Sequence, residues 1–204
     1  MSHRLNEYFG AKSRYRLPMS SNVLSMPPAV SMKLNHPAHI VHLKEKDTFE
    51  FIREVQKCSL TAKDKEAIER LFVLMEDQQI FPFFECIEKT KRGLSANAET
   101  AFSFDYPTLE IEETFTAAQF IDWASQTKEK IFEAMDRCME TAGITPEQVD
   151  LVCLTGGTAK VPFISGELEK RFGKEKLQTQ SHFHSVLSGL VESANFWSQG
   201  QKVT

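Results

Sequence analysis

Residues 151–173 read LVCLTGGTAKVPFISGELEKRFG. Leu151, Val152, Cys153 and Leu154 form an apolar run too short for anything but a buried strand. Gly156 and Gly157 end it, and Pro162 opens a helix that Phe172 and Gly173 close. Strand, glycine turn and helix in this order describe an α/β layer. Two glycines let a backbone turn with positive φ and approach a ligand closely, and the following helix start offers unpaired N–H groups to an anion. Taken alone, a glycine pair marks an ordinary strand-to-helix turn.

Upstream, the helical signals are strong. Thr116 with Gln119 forms a capping box and Phe115 with Phe120 a hydrophobic staple. Phe120, Ala124, Ile131, Met135, Cys138 and Ala142 then continue one apolar stripe to Gly143. The segment 99–115 changes period: 101–104 and 109–111 are short strand candidates around Asp105, Tyr106 and Pro107, a hairpin pattern. Before it, 77–95 predicts a helix with Phe83, Phe84, Ile87 and Leu94 inward and Pro82 in its first turn. Thr61 with Asp64 caps another helix carrying Ile68, Leu71 and Leu74, and Asp47 caps one through Ile52 and Val55. Residues 3–10 predict a short helix, and the stretch to Lys46, with Pro18, Pro27, Pro28 and Pro37, reads as a long loop or arm. The expected organisation is an arm over 1–46, a helical part with the hairpin over 47–115, and an α/β part over 116–204.

The 204 residues carry 41% hydrophobic and 25% charged residues and a net charge of −4. No apolar run approaches a membrane span of about 18 residues. The acidic balance argues against nucleic-acid binding, which leans on clustered Lys and Arg. Cys58, Cys86, Cys138 and Cys153 lack paired spacing and read as core hydrophobes of a reducing compartment. No secretory signal is visible, so the cytoplasm is the default location. His36, His39 and His42 recur every three residues, but Pro37 interrupts a helix there and a solvated loop is the better reading than a metal site.

The run CIEKTKRGLSA, residues 86–96, places Glu88, Lys91, Arg92 and Ser95 on one side of a helix. By itself that is a solvated face. Together with residues 149–173, in the same order and separated by a hairpin and a long helix, it resembles the actin-like ATPase superfamily in its DnaK-type heat-shock chaperone branch. The opening MSHRLNEYFG and the proline-containing arm are similar to the YegD-like members. The resemblance implies lobe two of an actin-like (ribonuclease H-like) ATPase, helix-rich, with a short hairpin and an incomplete sheet. It implies that Glu88 hydrogen-bonds a ribose, that Lys91 and Ser95 reach ribose or adenine edges, and that Arg92 lies on one adenine face. Gly156, Gly157 and Thr158 would line the sugar and first phosphate. Lys160 stands where the family usually has a second arginine, and Ser181, His182 and Phe183 where it tends to carry Asn-Pro-Asp.

No Asp-Gly or Asp-x-Gly occurs in the sequence, so the family's phosphate-binding hairpins are not represented, nor is its catalytic lysine. The expectation is therefore the adenosine-side half of an ATP or ADP site, with Mg²⁺ only when the missing half is present, no catalytic residues and no hydrolysis by this chain alone. The other readings are a partner-binding module of the same fold that has lost nucleotide chemistry, and a sugar-kinase-like relative. Beyond the nucleotide, the expected partners are the missing lobe, a protein, or a second copy meeting an exposed sheet edge.

Overall fold

The computed structural model describes residues 1–179 and 184–198. They fall into two compact units, Met1–Phe120 and Ile121–Thr204. The protein is helix-rich with three small two-stranded sheets among the described residues.

The first unit opens with α1 (Ser2–Leu5) and a 3-10 turn, Asn6–Phe9, stopped by Gly10 at φ 84°. Strands β1 (Arg14–Tyr15) and β2 (Leu24–Ser25) pair antiparallel. Then come α2 (Pro28–Lys33), α3 (Pro37–Ile40), a 3-10 turn Val41–Lys44, and the longer helices α4 (Lys46–Lys57), α5 (Ala62–Glu76) and α6 (Ile80–Leu94). Strands β3 (Glu99–Phe104) and β4 (Ile111–Thr116) form the expected hairpin.

The expected loop up to Lys46 is thus corrected to a chain of short elements. Its prolines start helices rather than forbid them, since Pro28 and Pro37 occupy first helical positions where no N–H is needed. Met26, Val30, Leu34, Ile40 and Leu43 are buried there. Asn6, itself buried, donates to Asn35 Oδ1 at 2.8 Å and to the Ser31 carbonyl at 3.2 Å, tying α1 to the α2 segment.

Phe83 is the hub of the first unit's core. Phe9, Phe102 and Phe104 meet it edge-on with ring centroids 5.0, 5.7 and 5.4 Å away, the arrangement aromatic quadrupoles favour. Leu109 is fully buried but lies in the hairpin turn rather than in the strand expected over 109–111, because the Leu109 N–H closes the turn on the Tyr106 carbonyl.

Helix α7 (Ala117–Ala142) runs from the first unit into the second. Thr116 and Gln119 close its N-terminus reciprocally at 3.0 and 3.1 Å. The second unit continues with a 3-10 turn Pro146–Gln148, β5 (Val152–Leu154), α8 (Pro162–Phe172), β6 (Leu177–Thr179) and α9 (His184–Ser198). Strands β5 and β6 are parallel, Val152 opposite Leu177 and Leu154 opposite Thr179.

The apolar stripe expected on α7 is rotated from the one observed. Phe132 is buried against Leu154, Ile164, Leu168 and Phe172, with Met135 and Met139 beside it, whereas Ile131 is 38% exposed and Cys138 is exposed. Apolar residues stand at both 131 and 132, and at both 138 and 139. A helix turns about 100° per residue, so period alone does not choose between these adjacent faces.

Strand β5 is also less buried than expected. Leu154 is covered, but Leu151 and Cys153, on the opposite side of the pleat, are exposed. The cysteines are not core residues: Cys58 and Cys86 are half-buried and the other two exposed. Among the described residues no helix is long and apolar enough to cross a membrane.

Candidate functional site

Helix α6 presents four of the expected binding residues together. Its inner face buries Phe83, Ile87, Thr90 and Leu94, an i, i+4, i+7, i+11 set that leaves the rest of the surface free for charge. Pro82 occupies the first turn, where a missing N–H has no intrahelical partner to lose. Glu88 and Arg92 are exposed, and Lys91 and Ser95 half-buried. Lys91 Nζ meets Glu88 Oε1 at 2.7 Å. Ser95 ends the helix, its N–H on the Arg92 carbonyl and its hydroxyl on the Lys91 carbonyl at 3.3 Å. Among the described residues the Arg92 guanidinium has no hydrogen-bond or ion-pair partner. In the same helix, burial pushes the Cys86 thiol pKa up.

The other four residues sit between β5 and α8. Gly156 has φ +81°, which L side chains rarely adopt, so the bend itself requires a glycine there. Gly157 differs: its φ is −65° and a Cβ built on it meets nothing within 4 Å. Among the described residues, neither backbone angle nor packing demands a glycine at 157. Thr158 is exposed at the start of a 3-10 turn, Thr158–Lys160, that leads into α8.

Beside this turn lies a cleft of about 370 Å³, lined by Leu154, Ala159, Ser165, Glu169, Leu177 and Thr179 among others. Leu154 and Thr179 are the last residues of the two parallel strands, and in open α/β sheets ligands gather at these carboxyl ends. Ser165 and Glu169 were not legible as site residues. Their only sequence signal is an i, i+4 pair on the helix that Pro162 begins.

The two sets belong to different units, the α6 residues to the first and the glycine turn to the second. Ser181, His182 and Phe183 lie outside the described residues. The three histidines are engaged locally: His36 Nδ1 accepts from the Ala38 N–H to cap α3, the His39 ring stands 5.1 Å from that of His36, and His42 pairs with Glu45 at 2.8 Å. No group of three potential metal ligands occurs among the described residues.

The profile of the family described as Hsp70 protein matches residues 61–194, which spans α6, the hairpin, α7 and the glycine turn. The chain belongs to the Hsp70 family. Among curated proteins it is similar to a heat shock protein homolog of Lachancea kluyveri, 26% identical over 104 residues, which is 50% of this chain and 15% of that protein. The chain therefore matches only a small part of that relative's length.

Proposed function

We propose that this chain is the adenosine-side half of an Hsp70-type ATP-binding domain, corresponding to lobe two of the actin-like ATPase fold and to its YegD-like branch. The observation that carries the reading is Gly157, a glycine that the fold does not need, in the family-matched turn at the carboxyl end of a parallel strand. Among the described residues, a side chain there is excluded by neither strain nor crowding. Gly166 in α8 is equally unhindered, so it is the place of Gly157 in the family-matched turn, at the carboxyl end of β5, that makes close approach by a ligand our reading of it.

In this reading the exposed Arg92 guanidinium stacks on adenine, which planar delocalised cations do well. Glu88 accepts from ribose hydroxyls, Lys91 and Ser95 reach ribose or adenine edges, and the backbone at Gly156, Gly157 and Thr158 approaches the sugar and first phosphate. Lys160 supplies charge without planar stacking. Mg²⁺ would arrive with the triphosphate and would neutralise its charge. Its ligands and the groups for phosphoryl transfer would come from a lobe this sequence does not contain, so the chain alone binds nucleotide weakly and does not hydrolyse it. The cytoplasm is its proposed location.

A second reading is a partner-binding module without nucleotide chemistry, and the uncovered surface beside β5, where Leu151 is 52% exposed, is open to either reading. Parallel strands are normally covered on both faces, so a protein partner or the missing lobe has apolar surface to cover there.

Calorimetric titration with Mg-ATP decides between them, on this chain and on a longer form that carries Asp-Gly hairpins, each with Arg92→Ala and Gly157→Val. The expected result is weak binding by the chain, clear binding by the longer form, and loss with either substitution. Gly157→Val leaves the fold intact, because its φ suits any residue. Binding absent from both forms, or indifferent to both substitutions, overturns the first reading.

A further inference from the structure

The family match begins at residue 61, and two features lie before it, outside the residues assigned above to the nucleotide site. One is the tip of the β1–β2 hairpin. Its base is fixed: the Arg16 N–H bonds the Cys58 carbonyl and the Leu60 N–H the Arg14 carbonyl, both at 3.0 Å, while the Met26 N–H reaches the Ser13 carbonyl at 2.9 Å. Tyr15 and Met26 are buried beneath it. From this base the loop rises into a turn closed by the Ser20 N–H on the Leu17 carbonyl at 3.1 Å, with Pro18 and Met19 at its centre.

Met19 holds φ +63° and is fully exposed at 107%. Proline followed by a positive φ is the type II arrangement, whose second central position favours glycine or asparagine. A left-handed residue with a Cβ costs about 1–2 kcal/mol, and the apolar side chain recovers nothing from burial within its own copy. Exposed Gln78 and Thr108 hold similar angles, so what sets Met19 apart is that its left-handed backbone carries a large apolar side chain left wholly in solvent. Val23 and Leu24 are exposed on the returning strand, and Arg14 and Arg16 are exposed beside the tip.

The second feature is a pocket of about 340 Å³ at the foot of the same hairpin. Pro27, Val30 and Phe51 form its apolar wall, and Lys33 and Asp47 stand on it. Asp47 begins an exposed acidic row on α4, continued by Glu50 and Glu54 at i+3 and i+7. An apolar knob flanked by Arg14 and Arg16 thus stands in one unit with an apolar pocket whose rim carries Lys33 and Asp47 and is continued on the α4 side by the acidic row of Glu50 and Glu54. That pattern is self-complementary about a two-fold axis.

We infer that two copies of this chain pair by exchange, each placing Met19 in the Pro27, Val30 and Phe51 pocket of the other, with Arg14 and Arg16 against Asp47, Glu50 and Glu54. The contact is small, so the pair is weak and reversible, and it is independent of the nucleotide reading.

Sedimentation equilibrium of the full chain over a concentration series tests this. The expected result is a monomer–dimer equilibrium that salt weakens. Met19→Ser should raise the dissociation constant at least about tenfold, because a buried apolar side chain is lost. Met19→Gly should weaken pairing equally while keeping or raising the melting temperature, since it relieves the left-handed strain. Arg16→Glu and Asp47→Arg should each weaken the dimer, and the double variant should restore it. A chain that stays monomeric, or a dimer indifferent to Met19→Ser, overturns the inference. A double variant without recovery overturns the pairing of tip with pocket. A monomer whose tip binds anionic phosphatidylserine vesicles overturns it in favour of a lipid surface.

Discussion

Gly93 and Thr100 touch so closely that helix α6 is held against strand β3 at a fixed distance. A Cβ built on Gly93 would stand 2.7 Å from Thr100 Cγ2 and 2.8 Å from its hydroxyl oxygen. Rotating Thr100 exchanges one branch for the other and does not open the space. Gly93 follows Arg92 directly, so this contact also fixes where the charged face of α6 stands relative to the hairpin.

Gly93→Ala therefore sets two effects against each other. Alanine gains about 1 kcal/mol of helix propensity, and overpacking costs about 1–3 kcal/mol. The expected outcome is net destabilisation by about 1 kcal/mol in urea unfolding, recovered when Thr100 is shortened to Ala in the same chain. A more stable Gly93→Ala protein would show that α6 and β3 are not in contact at this point.

The Thr100 hydroxyl is buried and, among the described residues, has no hydrogen-bond partner. An unmet buried polar group costs about 1–3 kcal/mol. Thr100→Val keeps the branched shape that packs on Gly93 and removes the unpaired oxygen, so it should stabilise the first unit by about 1 kcal/mol. A loss of stability in the same urea experiment would mean that the hydroxyl is satisfied in solution.

What the sequence displayed of this fold was mainly local chemistry. Thr61 with Asp64 and Thr116 with Gln119 announce helix starts because each side-chain bond closes within four residues. The register of α7 was hidden because Ile131 and Phe132 are both apolar, and Phe132 is selected by Leu154 of β5 with Ile164, Leu168 and Phe172 of α8, all remote in sequence. The short helices before Lys46 were hidden because prolines at helix starts and prolines in loops look alike until Val30 and Ile40 are seen buried. At the site, the spacing of Glu88, Lys91, Arg92 and Ser95 was legible, since a helix guarantees it. The Ser165 and Glu169 lining of the cleft was not, because it depends on how β6 returns beside α8.

In the second unit, Arg171 stacks on the Phe132 ring at 4.6 Å and pairs with Asp136 at 2.6 Å and with Glu167 at 3.3 Å. Its hydrogen bond to Glu167, and then the charges of Lys128 and Arg171, hold the Glu167 carboxyl below its ordinary pKa of about 4.5 against the opposing pull of burial. A carboxylate lowered by folding stabilises the folded state fully above that ordinary value, and the contribution fades as pH falls through the lowered one. Glu167→Gln should therefore flatten the acid side of the unit's thermal stability profile. The variant should be less stable than the parent near neutrality and equal to it in strong acid. Parallel profiles for the two proteins would show that the Arg171 contact does not persist in solution.

Glu88 and Lys91 offer a separation of fold from function. Their contact is an exposed pair one turn apart, of the kind that contributes about 0.2–0.5 kcal/mol to a helix, so Glu88→Gln and Lys91→Ala should shift urea stability by less than about 0.5 kcal/mol. If α6 instead spends these groups on a ribose, each hydrogen bond to a charged side chain is worth about 1.5–3 kcal/mol. In a longer form that binds Mg-ATP, either substitution should then weaken binding at least about tenfold. Nucleotide affinity should fall while the unfolding midpoint stays in place. The reverse result, a lowered midpoint with unchanged affinity, would make this face of α6 structural and remove it from the nucleotide site.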